Sequence, residues 1–333
     1  MMRAVGIEGG AGNVSALHIE SIPRPVPTGT QALVRIKAFG LNRMDLLQRM
    51  GMYPVPPQAP STLGVEFSGV VEALGGESEE NFKVGDEVFG LAYGGAYAEY
   101  IAVSTHMLVH KPAELTHEQA AGIPEVWITA LQAIYLVGEL APGKSILWHA
   151  GASGVSIAGI QLSVALGAAA VYATARADSK CEFAERELGA TKAFNAKTSD
   201  WAKEVLAATG GKGVDVVVDF IGAEYFQGNL DVLARDGRVV HLGAMGGVKL
   251  PAGVDISAFV RKRARFEGSS LRSRDEAYQG KLRDQMVEHA LPGFRDGKFK
   301  LFVEKVFPWE QIQDAHRLME SNKTMGKIIC TIG

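Results

Sequence analysis

Between Ser145 and Ala175 the chain carries no Lys, Arg, Asp or Glu. The run opens on Ser-Ile-Leu-Trp-His, crosses a small-residue turn at Gly151, Ser153 and Gly154, continues as an apolar stretch over 157–166 and closes on 170–174. Short apolar runs on either side of a longer one predict strand, turn, helix, strand. A membrane span is the rival reading of so long an uncharged run. Gly, Ser, His and Gln interrupt it throughout, which favours a buried βαβ unit, since strands covered on both faces are apolar all along.

The alternation persists downstream. Helices are expected at 125–136, 179–188, 200–209 and 225–234, and strands at 192–194, 214–220 and 238–242. Strand and helix in turn imply an α/β fold with a doubly wound parallel sheet of Rossmann type. Before residue 124 the texture is different. Strands are expected at 3–7, 31–38, 68–74, 87–90 and 98–103, with an extended edge at Pro23, Pro25 and Pro27 and a turn at Lys83-Val84-Gly85-Asp86. Near residue 265 the alternation stops; a mixed-charge helix at 275–291 follows, then strands at 299–307 and 327–332 around a helix at 309–321. The expected organisation is a β-rich domain from 1–123 and 266–333, its tail folded back, around a dinucleotide-binding domain at 124–265.

Composition narrows the class. With 333 residues, 47% apolar and 21% charged, the chain suits a two-domain globular protein. A net charge of −3 speaks against bulk nucleic-acid or anionic-membrane partners. Cys181 and Cys330 are the only cysteines, too few for a disulfide framework or a four-cysteine zinc lobe. The N-terminus has too short an apolar run for a signal peptide, so the default expectation is cytoplasmic. Eight histidines show no metal spacing, and no metal is expected.

The uncharged run also carries the first chemistry. A small-residue turn before a helix lets backbone approach a pyrophosphate, and the helix start favours the phosphate charge. A Gly-x-Gly-x-x-Gly match fails, and Ser156 stands where a third glycine would ease helix–strand packing. A βαβ unit that binds nothing is the competing reading. After the second strand there is no Asp or Glu to grip a ribose 2′-hydroxyl; Arg176 and Lys180 follow instead, the charges that a 2′-phosphate needs. NADPH is thus the expected cofactor. Both cations are otherwise ordinary surface charges, and Asp178 stands between them.

The segments LNRMDLLQRMGMYPVPP, LGVEFSGVV, KVGDEVFGL, GIPEVWITALQ, HAGASGVSIAGIQL, SSLRSRD and MESNKTMGKI occur in order along the chain. Together they resemble the zinc-independent quinone oxidoreductases of the medium-chain dehydrogenase/reductase superfamily, with the strongest likeness to the tumour-suppressor-induced (p53-inducible) type of animals. The resemblance implies a GroES-like β-rich catalytic domain beside the Rossmann domain, NADPH as cofactor, a quinone or enone as small-molecule substrate, and a homodimer formed through edge strands near 238–251. Where zinc-dependent members have ligands, this chain has Asn42, Val65 and, near the third, Glu125. Val65 cannot ligate and Asn42 is a poor ligand. An acceptor reduced without a Lewis acid must take hydride readily by itself, as quinones and conjugated carbonyls do.

By the same resemblance, Asn42 and Tyr53 border the nicotinamide, with Tyr53 a hydrogen-bond or proton donor to the acceptor oxygen. A packing aromatic in a Pro-rich loop, with protons from solvent, is the alternative for Tyr53. Thr129 faces the nicotinamide. Ser153, Gly154 and Val155 line the pyrophosphate turn, with Ser153 also beside the reactive end. Arg176 and Lys180 hold the 2′-phosphate. Asn195, Phe220, Ile221, Gly222, Gly243, Ala244, Met245, Leu271 and Arg272 complete the implied cofactor set. Asn195 is followed by Ala196 where many relatives have Tyr, so one contact is missing. Tyr93 and Phe259 are candidate pocket aromatics. Two further readings stay open: reduction of activated C=C bonds in enones or enoyl thioesters, and a dinucleotide-binding protein with a structural or RNA-binding role, for which the basic cluster Arg261, Lys262, Arg263 and Arg265 is the support.

Overall fold

The computed structural model describes residues 1–77 and 82–333. The chain divides into two compact units, Met1–Ile128 with Arg272–Gly333, and Thr129–Leu271.

The first unit begins with an antiparallel pair, β1 (Met2–Ile7) and β2 (Leu17–Ile22). Then come β3 (Gln31–Gly40), helix α1 (Arg43–Arg49), β4 (Glu66–Leu74), β5 (Glu87–Leu91), β6 (Tyr100–Ser104), β7 (Leu108–His110) and α2 (His117–Ala120). Helix α3 (Pro124–Leu131) carries the division point and passes into a π-helical turn over Gln132–Val137 where a plain helix is expected. The stretch His117–Val137 is long and apolar enough to cross a membrane, yet 78% of its apolar 18-residue window is buried in the protein.

The second unit runs β8 (Ser145–Trp148), α4 (Gly154–Leu166), β9 (Ala170–Ala175), α5 (Asp178–Arg186), β10 (Lys192–Asn195), α6 (Trp201–Ala208), β11 (Val214–Asp219), α7 (Phe226–Val232), β12 (Leu233–His241), α8 (Ala258–Arg261) and β13 (Arg265–Gly268). The six strands form one parallel sheet in the order β10-β9-β8-β11-β12-β13. This is the reversal of strand order that defines a doubly wound sheet. The chain then returns to the first unit through α9 (Glu276–His289), α10 (Leu291–Arg295), β14 (Val303–Pro308), α11 (Ile312–Glu320) and β15 (Lys327–Thr331). β15 pairs antiparallel with β3 and completes the sheet β14-β15-β3-β4-β5-β7, with β6 on β3.

Several expectations need correction. Residue 265 begins a strand: β13 pairs with β12, which moves the unit boundary to Leu271 and leaves β12 covered on both sides. The stretch 238–251 therefore does not begin on an edge strand. Residues 299–302 are not strand. Phe299 instead plugs the first unit's core, against Phe294 and Trp127, with its N–H on Gly293 O. Phe259 packs on the core of the parallel sheet. α1, β2, β7 and β13 are too short, or too polar on one face, to register as periodic pattern.

One close approach fixes how α4 lies on its sheet. Trp148 at the end of β8 is fully buried, its indole N–H on Ser163 Oγ at 3.1 Å. A Cβ added at Gly159 falls 2.2 Å from the Trp148 ring. The glycine needed for helix–strand packing is thus Gly159, one turn beyond the fingerprint position. Gly159→Ala is expected to cost about 1–3 kcal/mol through overpacking, read as a lowered thermal midpoint; an unchanged midpoint would show that the Trp148 ring is free to move.

Candidate active site

Each unit contributes its own set of groups. In the first, α1 starts where β3 ends, so Leu41 O and the Asn42 side chain face the buried end of β15. Lys327 Nζ donates to Leu41 O at 2.7 Å, Asn42 Oδ1 at 2.8 Å and Glu66 Oε1 at 2.5 Å. Three acceptors satisfy the three N–H donors of an ammonium. Glu66 is fully buried and Lys327 is 4% exposed. Asn42 Nδ2 donates to Glu66 Oε1 at 2.8 Å, and the backbone N–H of Glu125 to Glu66 Oε2 at 2.9 Å. Gly40 makes room for this pair, since a Cβ there would lie 2.3 Å from Glu66 Oε1. The Asn42 carboxamide is therefore committed on both sides to Lys327 and Glu66.

Two more carboxyls share this nest. Asp45 accepts from Asn42 N at 2.8 Å and from Tyr97 OH at 3.1 Å. Its burial pushes its pKa up to about 6, against the pull of these bonds and of Lys327 and Arg272. Glu125, at the start of α3, is pushed up to about 8, first by burial and then by the charge of Glu66. Behind Asp45, Tyr97 meets His316 Nε2 at 3.4 Å, and His316 Nδ1 faces Arg49 Nη1 at 3.2 Å. Arg49 also pairs with Glu320. Since Arg49 only donates, His316 accepts at Nδ1 and is neutral; burial and Arg49 lower its pKa to about 3.

Arg272 is buried and belongs to this unit. Its Nε donates to Tyr93 O at 2.6 Å and its Nη1 to Gln48 Oε1 at 2.8 Å, while Nη2 is buried without a partner. Its guanidinium lies 5.4 Å from the centre of the Tyr53 ring. The Tyr53 pKa is raised by burial and by the charge of Glu125, so its hydroxyl keeps its proton at neutral pH. Tyr53 and Arg272 are thus brought together, as are Asn42, Glu66 and Glu125.

The second unit presents the groups expected at a dinucleotide. Ala150 takes φ +51°, a left-handed conformation costly for a residue with Cβ and one that recurs at ligand turns. Ser153 is the N-cap of α4 but makes no capping bond with its side chain. The first N–H groups of a helix have no partner within it, and Gly154 and Val155 are only partly buried here. Ser156 settles the fingerprint question: its Oγ donates to His149 O at 2.7 Å and accepts from Ser153 Oγ at 3.1 Å. It ties the helix start to the end of β8 and so tightens the turn. Arg176 follows β9 directly and is exposed, and no other side chain holds it among the described residues. Lys180 sits on the first turn of α5. Asn195, by contrast, is committed within the protein, Nδ2 on Asp178 at 2.7 Å and Oδ1 on Lys197 N at 3.0 Å.

The loops after β11 and β12 are laced together. Met245 N donates to Phe220 O and Gly246 N to Ile221 O, while Asp219 receives Ile221 N and Gly222 N. Gly222, at φ +83°, has Gly247 O 2.8 Å from where a Cβ would be. Phe220, Ile221, Gly222, Gly243, Ala244 and Met245 therefore form one cluster. Thr129 Oγ1 is buried without a partner, while Leu271 is a buried apolar side chain. Free helix N–H groups, an exposed arginine and an unpartnered hydroxyl fit a phosphorylated dinucleotide.

Two family models match parts of the chain. Residues 154–287 match the zinc-binding dehydrogenase family and residues 28–113 the alcohol dehydrogenase GroES-like domain. The chain is 33% identical over 322 residues to a phenolphthiocerol/phthiocerol polyketide synthase of Mycobacterium tuberculosis, covering 96% of this chain but only 14% of that protein's length. It is 31% identical to the synaptic vesicle membrane protein VAT-1 homolog of Rattus norvegicus, over 97% of this chain and 83% of that one. To the quinone oxidoreductase of Pongo abelii it is 28% identical over 99% and 97%. Among solved structures, the CurK enoyl reductase superposes with a TM-score of 0.87 at 28% identity, covering 100% and 99% of the two chains. A quinone oxidoreductase of Pseudomonas syringae gives 0.87 at 29%, covering 99% and 100%. A mycobacterial protein complexed with NADPH gives 0.86 at 27%, covering 99% and 100%.

A GroES-like domain joined to a Rossmann-type domain, with a dinucleotide turn in the second, defines an oxidoreductase of the dehydrogenase/reductase kind. The chain belongs to the medium-chain dehydrogenase/reductase superfamily. The zinc in the matched family's name finds no ligand set here: among the described residues no three His, Cys, Asp or Glu side chains are placed to hold a metal, and an ammonium lies between Asn42 and Glu66.

Lys327, Arg49, His316 and the buried role of Glu66 escape a reading of the sequence. Only Lys327 leaves a signal, as the single charge in the apolar strand Lys-Ile-Ile-Cys-Thr. Lys327→Met should destabilise the first unit by about 3–5 kcal/mol, because Glu66 is left as an uncompensated buried charge. Urea denaturation of Lys327→Met and of Lys327→Met/Glu66→Gln tests this: the double variant should recover part of the loss, and an equally unstable pair would mean that the ion pair is not the cause.

Proposed function

We propose that this protein is an NADPH-dependent, zinc-independent quinone reductase, near in kind to the tumour-suppressor-induced quinone oxidoreductases. The observation that carries the reading is the Lys327 ammonium held between Asn42 and Glu66, where zinc-dependent relatives would build a metal site. With no ligand set, the acceptor must be electrophilic without Lewis-acid help, as a quinone is. When bound, NADPH supplies the hydride. The free N–H groups of Gly154 and Val155 and the Ser153 turn would take the pyrophosphate, Arg176 and Lys180 the 2′-phosphate, and Thr129 Oγ1 the carboxamide end.

The first unit's residues would orient the acceptor and place a proton. Tyr53 donates from its hydroxyl to the acceptor oxygen, and Arg272 Nη2, buried and unpartnered, offers a second donor. This extends Arg272 from the cofactor to the acceptor. Asn42 acts as a positioning residue, since its carboxamide is engaged by Lys327 and Glu66. A cytoplasmic setting agrees with two free, buried cysteines. A homodimer, if formed by sheet extension, would use β13, which is the outer strand next to β12.

Reduction of activated C=C bonds is the second reading. It is favoured by the likeness to an enoyl reductase and to a segment of a polyketide synthase. The RNA-binding reading loses its support at the basic cluster. Arg263 is paired with Asp236 and Arg261 with Asp255, and Lys262 Nζ donates to Leu230 O and Asp231 O at the end of α7.

NADPH consumption with 1,2-naphthoquinone tests the substrate class, and a saturated ketone as the sole product from an enone would favour the second reading. Arg176→Ala should weaken NADPH by about 1.5–3 kcal/mol, the worth of a charged hydrogen bond, and leave NADH unchanged. Fluorescence titration with both cofactors measures this, and equal loss for both would remove Arg176 from the 2′-phosphate.

A further inference from the structure

We infer that Arg49, His316, Tyr97 and Asp45 form a latch that joins α11 to α1 and that acid opens. The latch lies wholly in the first unit and does not depend on what the enzyme reduces. All four side chains are buried. Arg49, at the end of α1, spends each side of its guanidinium on a different segment. Its Nε donates to Gly12 O at 3.2 Å, its Nη1 meets His316 Nδ1 at 3.2 Å and its Nη2 donates to Glu320. Glu320 closes α11 and His316 stands one turn before it, so one residue of α1 holds α11 at two points.

One rule fixes the direction of every proton in this line. A guanidinium donates and never accepts, so His316 Nδ1 presents its lone pair and a neutral ring carries its single proton on Nε2. That proton faces Tyr97 OH, 3.4 Å away, which leaves the Tyr97 proton for Asp45 Oδ2 at 3.1 Å. All donors therefore point from Arg49 towards Asp45, which also accepts Asn42 N at the start of α1. A second proton on His316 would sit on Nδ1, donor against donor, beside a buried positive charge. Glu320, the carboxylate at this junction, is already taken by Arg49.

α11 packs on α1, β14, β15 and the turns Val14–Ala16 and Trp309–Gln311, and the other charges there have partners of their own. On α1, Arg43 donates to Asn322. On β15, Lys327 is spent on Glu66 and its neighbours, and burial pushes the Cys330 thiol up, so that it stays neutral. On β14, Glu304 accepts Met325 N and Lys305 lies over the Phe307 ring. Glu310 accepts the Trp309 indole N–H, and Val14–Ala16 carries no charge. Asp314 pairs with Arg317 on α11 itself. Arg49 is the charge that meets the ring, and with burial it holds His316 down at about 3.

A ring freed from the latch titrates near its ordinary value of about 6.5, so the open form takes the proton first. The latch is at full strength above that pH and weakens as pH falls towards 3. One extra proton in the open form raises the opening constant by up to about tenfold per pH unit. Asp45, raised to about 6, acts in the opposite sense below that pH, because its folded form takes a proton more readily. Comparison with a variant that keeps Asp45 and lacks the imidazole removes this second contribution.

Nitrogen resonances of the cofactor-free protein labelled with ¹⁵N-histidine read the ring directly. At neutral pH His316 should show a proton on Nε2 and a bare Nδ1, and the ring should not titrate as pH is lowered to 5 while the protein stays folded. Hydrogen exchange of the α11 amides, corrected for the intrinsic rate, reads the opening. Protection should fall by up to about tenfold per unit between pH 6 and 4.5 in the wild type. His316→Gln has an amide that can accept from Arg49 and donate to Tyr97 without titrating, so its α11 protection should lose that slope. A His316 ring that carries its proton on Nδ1, that titrates at an ordinary midpoint in the folded protein, or whose replacement leaves the slope unchanged would overturn the latch. The resonances need only the wild type, so a His316→Gln variant that fails to fold leaves the outcome decided by them.

Discussion

The bond between Lys327 and Glu66 is the constraint around which the first unit is arranged. A buried ion pair is weakly stabilising at best, but the loss of one partner is severe. Here it does geometric work as well. It joins the last strand of the chain to the β3–α1 corner and to β4, three segments far apart in sequence, and it fixes both ends of the Asn42 carboxamide. The pairing of β15 with β3 brings Lys327 to that corner, and the absence of a side chain at Gly40 leaves space for Glu66.

The same bond sets the electrostatics of its neighbours. Once Lys327 is taken by Glu66, the remaining carboxyls must be held by hydrogen bonds or kept neutral. Asp45 takes the first course, through Asn42 N and Tyr97, and the line continues through a neutral His316 to Arg49 and Glu320. At Glu125, burial and the charge of Glu66 push the pKa up to about 8. The Lys327 ammonium stands between Asn42 and Glu66, and all three of its donors are engaged by the protein.

In the second unit the corresponding constraint is the contact between α4 and its sheet. Ser156 binds the carbonyl of His149, just past the strand, and Gly159 lets the Trp148 ring lie against the helix. The two residues divide the work of a single glycine in the common fingerprint: close packing moves one turn along the helix, and the turn gains a hydrogen bond. The free N–H groups at the helix start and the exposed Arg176 follow from that placement.

Local pattern along the chain is enough to settle the class of fold and to mark where a dinucleotide is expected. Both are written in an uncharged βαβ run, a small-residue turn, and Arg176 where an acid would otherwise stand. Periodicity and turn chemistry act over a few residues, so they survive without tertiary context. The polar nest around Glu66 is not legible in that way, because Lys327, Asn42 with Asp45, Glu125 and Arg272 come from four separate segments. Short elements such as β13 escape for a related reason, since four residues hold too little pattern and only pairing with β12 defines them. Which groups gather around Glu66, and which cation pairs with it, is decided by strand pairing and burial, through forces that depend on distance in space rather than along the chain.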